Sequence, residues 1–188
     1  VKHILALSVI CLILITTCSK PDITASSEIP KGKFELQQVE LFPNEMKINI
    51  PRDFEIMTDE MAELKYPNGN RPSPIYTNNE GSVNVAFNYT STELTDKELK
   101  DYLKNMKSMF ENLYPSATWY ESKMVEINNK KVGYLELLTP AIDTQVYNLI
   151  FLAEMNNRLL LVNFNCTESE MTEWIPTAKE IMYSLIID

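Results

Sequence analysis

The pairs Asn128-Asn129 and Asn156-Asn157 constrain this chain more than any other feature of it. A two-residue hairpin that follows the twist of its strands needs positive φ at both central positions, which asparagine tolerates better than most non-glycine residues. Each pair is flanked by runs of strand character: residues 119–127 and 131–138 around the first, 145–154 and 158–166 around the second. Four consecutive antiparallel strands are therefore predicted. In Val146-Tyr147-Asn148-Leu149-Ile150-Phe151-Leu152-Ala153 and Leu159-Leu160-Leu161-Val162 the apolar residues point both ways, so both sheet faces should be covered there.

Two helical patterns flank this meander. Thr95-Asp96-Lys97-Glu98 reads as a capping box, followed at helical spacing by Leu99, Tyr102, Leu103, Met106, Phe110 and Leu113, with Lys97, Lys100, Asp101, Lys104, Lys107 and Glu111 on a solvated face. Thr167-Glu168-Ser169-Glu170 is a second such box. It opens a stripe of Met171, Trp174, Ile175, Ala178, Ile181, Met182 and Leu185, in which Pro176 should kink or restart the helix. Upstream, residues 34–41 and 47–50 read as strands about a turn at Phe42-Pro43-Asn44, and residues 58–65 as a short capped helix. Val83, Val85, Phe87 and Tyr89 alternate as a strand. Between these lies Tyr66-Pro67-Asn68-Gly69-Asn70-Arg71-Pro72-Ser73-Pro74, whose prolines and Asn-Gly pair mark a surface loop.

The first residues carry an address. Lys2 precedes a nearly unbroken apolar run from Ile4 to Ile15, shorter than the roughly 20 residues a membrane span needs. Leu14-Ile15-Thr16-Thr17-Cys18 resembles the lipobox of bacterial lipoproteins, with Thr17 where Gly, Ala or Ser is usual. The resemblance implies a signal peptide over 1–17, lipidation of Cys18, and a domain held on the outside of a bacterial membrane; Ser19 favours the outer membrane where there are two. Residues 18–33 are polar and unpatterned and are predicted to be a flexible tether reaching roughly 20 Å on average. Residues 34–188 are then a single domain.

Losing Lys2 takes the formal charge from −9 to −10. That acidity argues against nucleic acid as a partner and against docking on anionic lipid by charge alone. His3, the single histidine, and Cys11 leave with the signal, and Cys18 is consumed by lipid. Cys166 remains as the only thiol, expected to be a small buried hydrophobe without a disulfide. Ser-His-Asp triads, Cys-His dyads and histidine metal sites are excluded in the mature chain. The acidic pairs, such as Asp59 with Glu60, lack the spacing of a calcium loop. No catalytic residue, metal or cofactor is expected.

Asn49-Ile50-Pro51-Arg52-Asp53-Phe54, Lys65-Tyr66-Pro67 and the closing Trp174-Ile175-Pro176 to Ser184-Leu185-Ile186 resemble the PsbP-like fold group, which includes DcrB-type bacterial lipoproteins. The resemblance implies an α+β domain, an antiparallel sheet of about 5–7 strands between helical layers. It also implies a non-catalytic binding or adaptor module for an envelope protein or an apolar segment; the alternative is a carrier of a small hydrophobic ligand. Four residues are singled out for a binding surface. Arg71 lies in the proline-rich loop and can grip a carboxylate or phosphate. Met109 lies at the edge of its helix's apolar stripe, and adjacent Trp119 and Tyr120 should face opposite ways, leaving one aromatic exposed.

Overall fold

The computed structural model describes residues 31–67 and 71–188. The expected signal peptide, Cys18 and the tether as far as residue 30 lie outside the described residues, as do Asn68, Gly69 and Asn70 of the loop.

The chain runs β1 (Leu36–Leu41), α1 (Phe42–Glu45), β2 (Met46–Pro51), β3 (Glu55–Ile56), α2 (Asp59–Lys65), β4 (Ile75–Thr77), β5 (Asn84–Glu93), α3 (Leu99–Leu113), β6 (Thr118–Ile127), β7 (Lys130–Pro140), β8 (Gln145–Met155), β9 (Arg158–Thr167), α4 (Glu168–Tyr183) and β10 (Ile186–Ile187). This is an α+β fold with two antiparallel sheets. Seven strands form the larger one in the order β3-β4-β5-β9-β8-β7-β6, and β1-β2-β10 form the smaller. Both asparagine pairs turn the meander as their chemistry demands, with φ of 48° and 64° at Asn128 and Asn129 and 51° and 59° at Asn156 and Asn157.

Two hydrophobic clusters divide the meander by residue parity. Leu135 and Leu137 of β7, Ile150 and Leu152 of β8 and Leu159 of β9 pack with Leu99, Leu103 and Met106 of α3. Tyr134, Tyr147, Leu149, Phe151, Val162 and Phe164 pack with Trp174, Ala178, Ile181 and Met182 of α4. Successive side chains of a strand leave opposite faces, so the two helices lie on opposite faces of β7, β8 and β9. Each large side chain fully buried this way contributes about 1.5–3 kcal/mol, and Tyr147, Phe87, Phe151 and Phe164 are the largest.

The smaller sheet joins the α4 side, with Met46, Ile48 and Ile50 of β2 wholly buried against it. Just beyond Leu185, where the predicted helical stripe ends, Ile186 and Ile187 form a short strand that pairs with Lys47 and Met46. The stretch preceding β1 differs from expectation. Residues 31–33 belong to the predicted tether, yet they dock on α4: the Gly32 N–H donates to Glu180 at 2.8 Å and Lys33 pairs with Glu173. Phe34 stacks on Trp174 with centroids 3.7 Å apart.

Helix starts follow the sequence with altered bonding. At α3 the Thr95 N–H and hydroxyl both donate to Glu98, at 3.0 and 2.7 Å, because the carboxylate is the stronger acceptor, and the helix opens only at Leu99. At α4 the Thr167 hydroxyl likewise donates to Glu170 at 2.7 Å. α4 continues through Pro176 as one element. Leu113, predicted to belong to the α3 stripe, is 63% exposed and lies outside the cluster in which Leu99, Leu103 and Met106 are buried.

Candidate functional site

The register of the large sheet locates a cleft. One row runs Ile75, Ala86, Asn163, Ile150, Leu135 from β4 to β7, all on the α3 face. At one end Ile75 and Ala86 are buried with Ala62 of α2; at the other Ile150 and Leu135 are buried under α3. Asn163, between them on β9, is only half-buried, as are its same-face neighbours Leu161 and Asn165. Strand β9 is thus the floor of a cleft between two helices.

That floor is lined with amides. Thr77 Oγ1 donates to Asn84 at 2.8 Å, and the Asn84 amide donates to Asn165 at 2.9 Å. The Asn148 amide donates to Thr139 at 3.1 Å. Asn163 Oδ1 is buried with no partner. One wall is apolar. Lys107 of α3 lies 4.9 Å from the Trp119 ring of β6, so that flank faces the edge of the sheet. Met109 is two residues on, about 200° round the helix, and with Leu113 one turn later it faces away from the β6 edge. Met109 is 50% exposed. Neutral amides beside an apolar wall can bind a chain through hydrogen bonds and apolar contact; they offer no general acid, base or nucleophile.

Among the described residues, a tight group of ionisable side chains lies on the opposite face. Lys179 of α4 pairs with Glu136 and approaches Glu121 at 3.7 Å. The Tyr147 hydroxyl donates to Glu136 at 2.8 Å, and the Tyr134 hydroxyl to Glu121. The Lys179 ammonium stands 4.9 Å from the Tyr134 ring. The Tyr134 hydroxyl holds Glu121 below the usual carboxylate range, with Lys179 assisting against partial burial. Burial first, and the carboxylates second, push both phenols up, so they remain donors. Every member is satisfied internally, and the network fastens α4 to β6 and β7. The sequence reading missed it, although Glu136 stands out as the single charge in Val132-Gly133-Tyr134-Leu135-Glu136-Leu137-Leu138.

The four residues predicted for one surface are dispersed. Arg71 is paired with its own chain's Asp59 at 2.7 Å, at the start of α2. Met109 borders the cleft. Trp119 is half-buried under Lys107 on the α3 face, whereas Tyr120, 46% exposed, contacts Met171 of α4 on the other. Trp119 and Tyr120 belong to β6, at the opposite edge of the sheet from β4, which follows the Arg71 loop. Strand order, which no local pattern encodes, separates them. Cys166 is a buried free thiol, pushed up to about 12 mainly by burial. Among the described residues no group of three or more His, Cys, Asp and Glu could hold a metal, and no helix is long and apolar enough to cross a membrane.

Three solved structures resemble the chain over most of their own length. Cyanobacterial PsbP from Synechocystis sp. PCC 6803 superposes with a TM-score of 0.59 at 10% identity, covering 84% of this chain and 95% of that one. The fold is PsbP-like. The PsbP-like architecture recurs in PA94, a protein of unknown function from Pseudomonas aeruginosa, at a TM-score of 0.52 and 12% identity over 82% and 98% of the two chains. It recurs again in LpqN, involved in cell envelope biogenesis of Mycobacterium tuberculosis, at a TM-score of 0.52 and 10% identity over 89% and 99%. No family model and no curated protein matches the sequence.

Proposed function

We propose that the chain is a non-catalytic binding module, lipid-anchored through Cys18 on the outer side of a bacterial membrane, that takes a segment of an envelope protein into the cleft between α2 and α3. The observation that carries this reading is the exposed apolar flank of α3 at Met109 and Leu113, on the same face of the sheet as the half-buried amides of β9. Buried or half-buried amides read the polar backbone of a peptide, and an apolar wall takes its side chains. The PsbP-like fold, shared with a mycobacterial protein involved in cell envelope biogenesis, agrees with such a role, as does the lipobox-like end at Cys18. The second reading, a carrier of a small hydrophobic ligand, sits less well with a floor of asparagines, because an apolar ligand would leave their polar atoms unsatisfied.

The test is crosslinking in the producing cell followed by mass spectrometry, with the native chain, Cys18→Ala and Leu113→Asp compared. Capture of one defined envelope protein by the native chain, reduced in both variants, is the expected outcome. Equal capture by Leu113→Asp would remove the cleft from the account. Undiminished capture by Cys18→Ala would remove the anchor. A lipid or other small molecule that copurifies with the chain in place of a protein partner would establish the carrier.

A further inference from the structure

Strand β6 ends the seven-stranded sheet, so the outer side of its backbone has no strand partner among the described residues. Such edges accept further strands unless they are short, bulged or covered. β6 is 10 residues long. Its irregularity falls between Trp119 and Glu121, and Ser122 to Ile127 then pair with β7 without a break. α3 overhangs this regular edge. Lys100, Lys104 and Lys107 recur at i, i+4 and i+7 and share one flank of the helix with Glu111, which pairs with Lys107 and leaves Lys100 and Lys104 as the cations in excess there. Two contacts show where that flank faces. Lys107 sits over Trp119 of β6, and Lys97 and Lys100 line an open cleft of about 510 Å³ whose other wall is Met124 and Val125 of β6 with Lys131 of β7. Asp96 and Glu126 share the cleft and leave its lysines in excess, in a chain whose net charge is −9.

We infer that the β6 edge receives an extended segment of another protein that carries carboxylates on alternate residues. A strand added to β6 sends every second side chain toward the α3 face, where the lysines stand, and its backbone completes the open row of hydrogen bonds. A second copy of this chain fits poorly, because antiparallel pairing of two β6 edges would bring two lysine flanks together. This surface lies on the other side of α3 from Met109 and Leu113 and does not depend on the cleft over β9.

The probe is a blocked ten-residue peptide of alternating Glu and Val, with alternating Lys and Val as control, added to the full chain in detergent. Amide hydrogen exchange is read along the chain. The acidic peptide should slow exchange at residues 122–127 at least tenfold, and Lys100→Glu with Lys104→Glu should weaken its binding at least tenfold without moving the melting temperature, since both lysines are exposed. Added salt should weaken binding in the same sense. The inference is overturned if the acidic peptide fails to protect these amides at millimolar concentration, if it protects residues elsewhere, or if the double variant binds it undiminished. Protection of the same amides by phosphatidylglycerol vesicles but not by the peptide would overturn it in favour of a lipid surface.

Discussion

Gly32 stands where a side chain does not fit: a Cβ built on it would lie 2.0 Å from Thr177 Oγ1 and 2.6 Å from Thr177 Cα. Gly32→Ala must therefore push the entering chain off α4, and overpacking of this kind costs about 1–3 kcal/mol. A lowered melting temperature, with faster proteolysis ahead of Phe34, is the expected result; an unchanged melt would mean that residues 31–34 do not fasten the domain. Cys166 behaves oppositely to a reactive thiol. Burial keeps it protonated, with its pKa pushed up to about 12, so at about pH 8 it should resist iodoacetamide in the native protein and react only after unfolding. At this scale the sequence was informative where one residue type has one physical use, as with the asparagine turns and the buried cysteine. It was silent on Gly32, whose constraint comes from α4, far away in the chain.

The β6–β7 and β8–β9 hairpins each hold two asparagines at positive φ. Replacing Asn157 by Ala puts a side chain without local hydrogen bonding into the left-handed region, at a cost of about 1–2 kcal/mol. Denaturant unfolding should show that loss, while Asn157→Gly should match or exceed the native stability. Within α3 the two ends should separate. Leu103→Ala removes a buried core contact and should cost about 2–5 kcal/mol. Leu113→Ser changes an exposed residue and should alter stability by less than about 0.5 kcal/mol while weakening partner capture. The helical period of α3 was plain in the sequence, but the depth of its stripe was not. Whether Leu113 is core or surface depends on tertiary packing, which the helical period does not encode. The pairing of Ile186 with Lys47 was equally out of reach, because a two-residue strand carries no periodicity.

At the scale of the whole molecule, acid should loosen the fold through a few carboxylates. Thr95 holds Glu98 below the ordinary value of 4.5, through its hydroxyl and then its N–H. Tyr134 does the same for Glu121. Burial alone would raise Glu154, but Lys130 and the Asn157 N–H outweigh it and keep it low. A carboxylate depressed in the folded state contributes stability that is complete above its unfolded value and is lost as pH falls through the folded one. The melting temperature should accordingly fall below about pH 4.5. Glu121→Gln should flatten that limb by less than about 1 kcal/mol, since the side chain is 40% exposed and screened by solvent. The antiparallel sheet and its covering helices were legible in the spacing of apolar residues. The cleft was not, because it arises where the rows of β5, β9 and β8 come into register between two helices distant in sequence.

The most direct measurement places a photocrosslinking amino acid at 109 or 113, on the proposed cleft wall, and at 120 or 171, on the opposite face, in the full chain in its own cells. A discrete adduct with one envelope protein from 109 and 113, and none from 120 and 171, is the result expected of a binding module that works through the α2–α3 cleft. Adducts only from 120 and 171, or from all four positions alike, would contradict it.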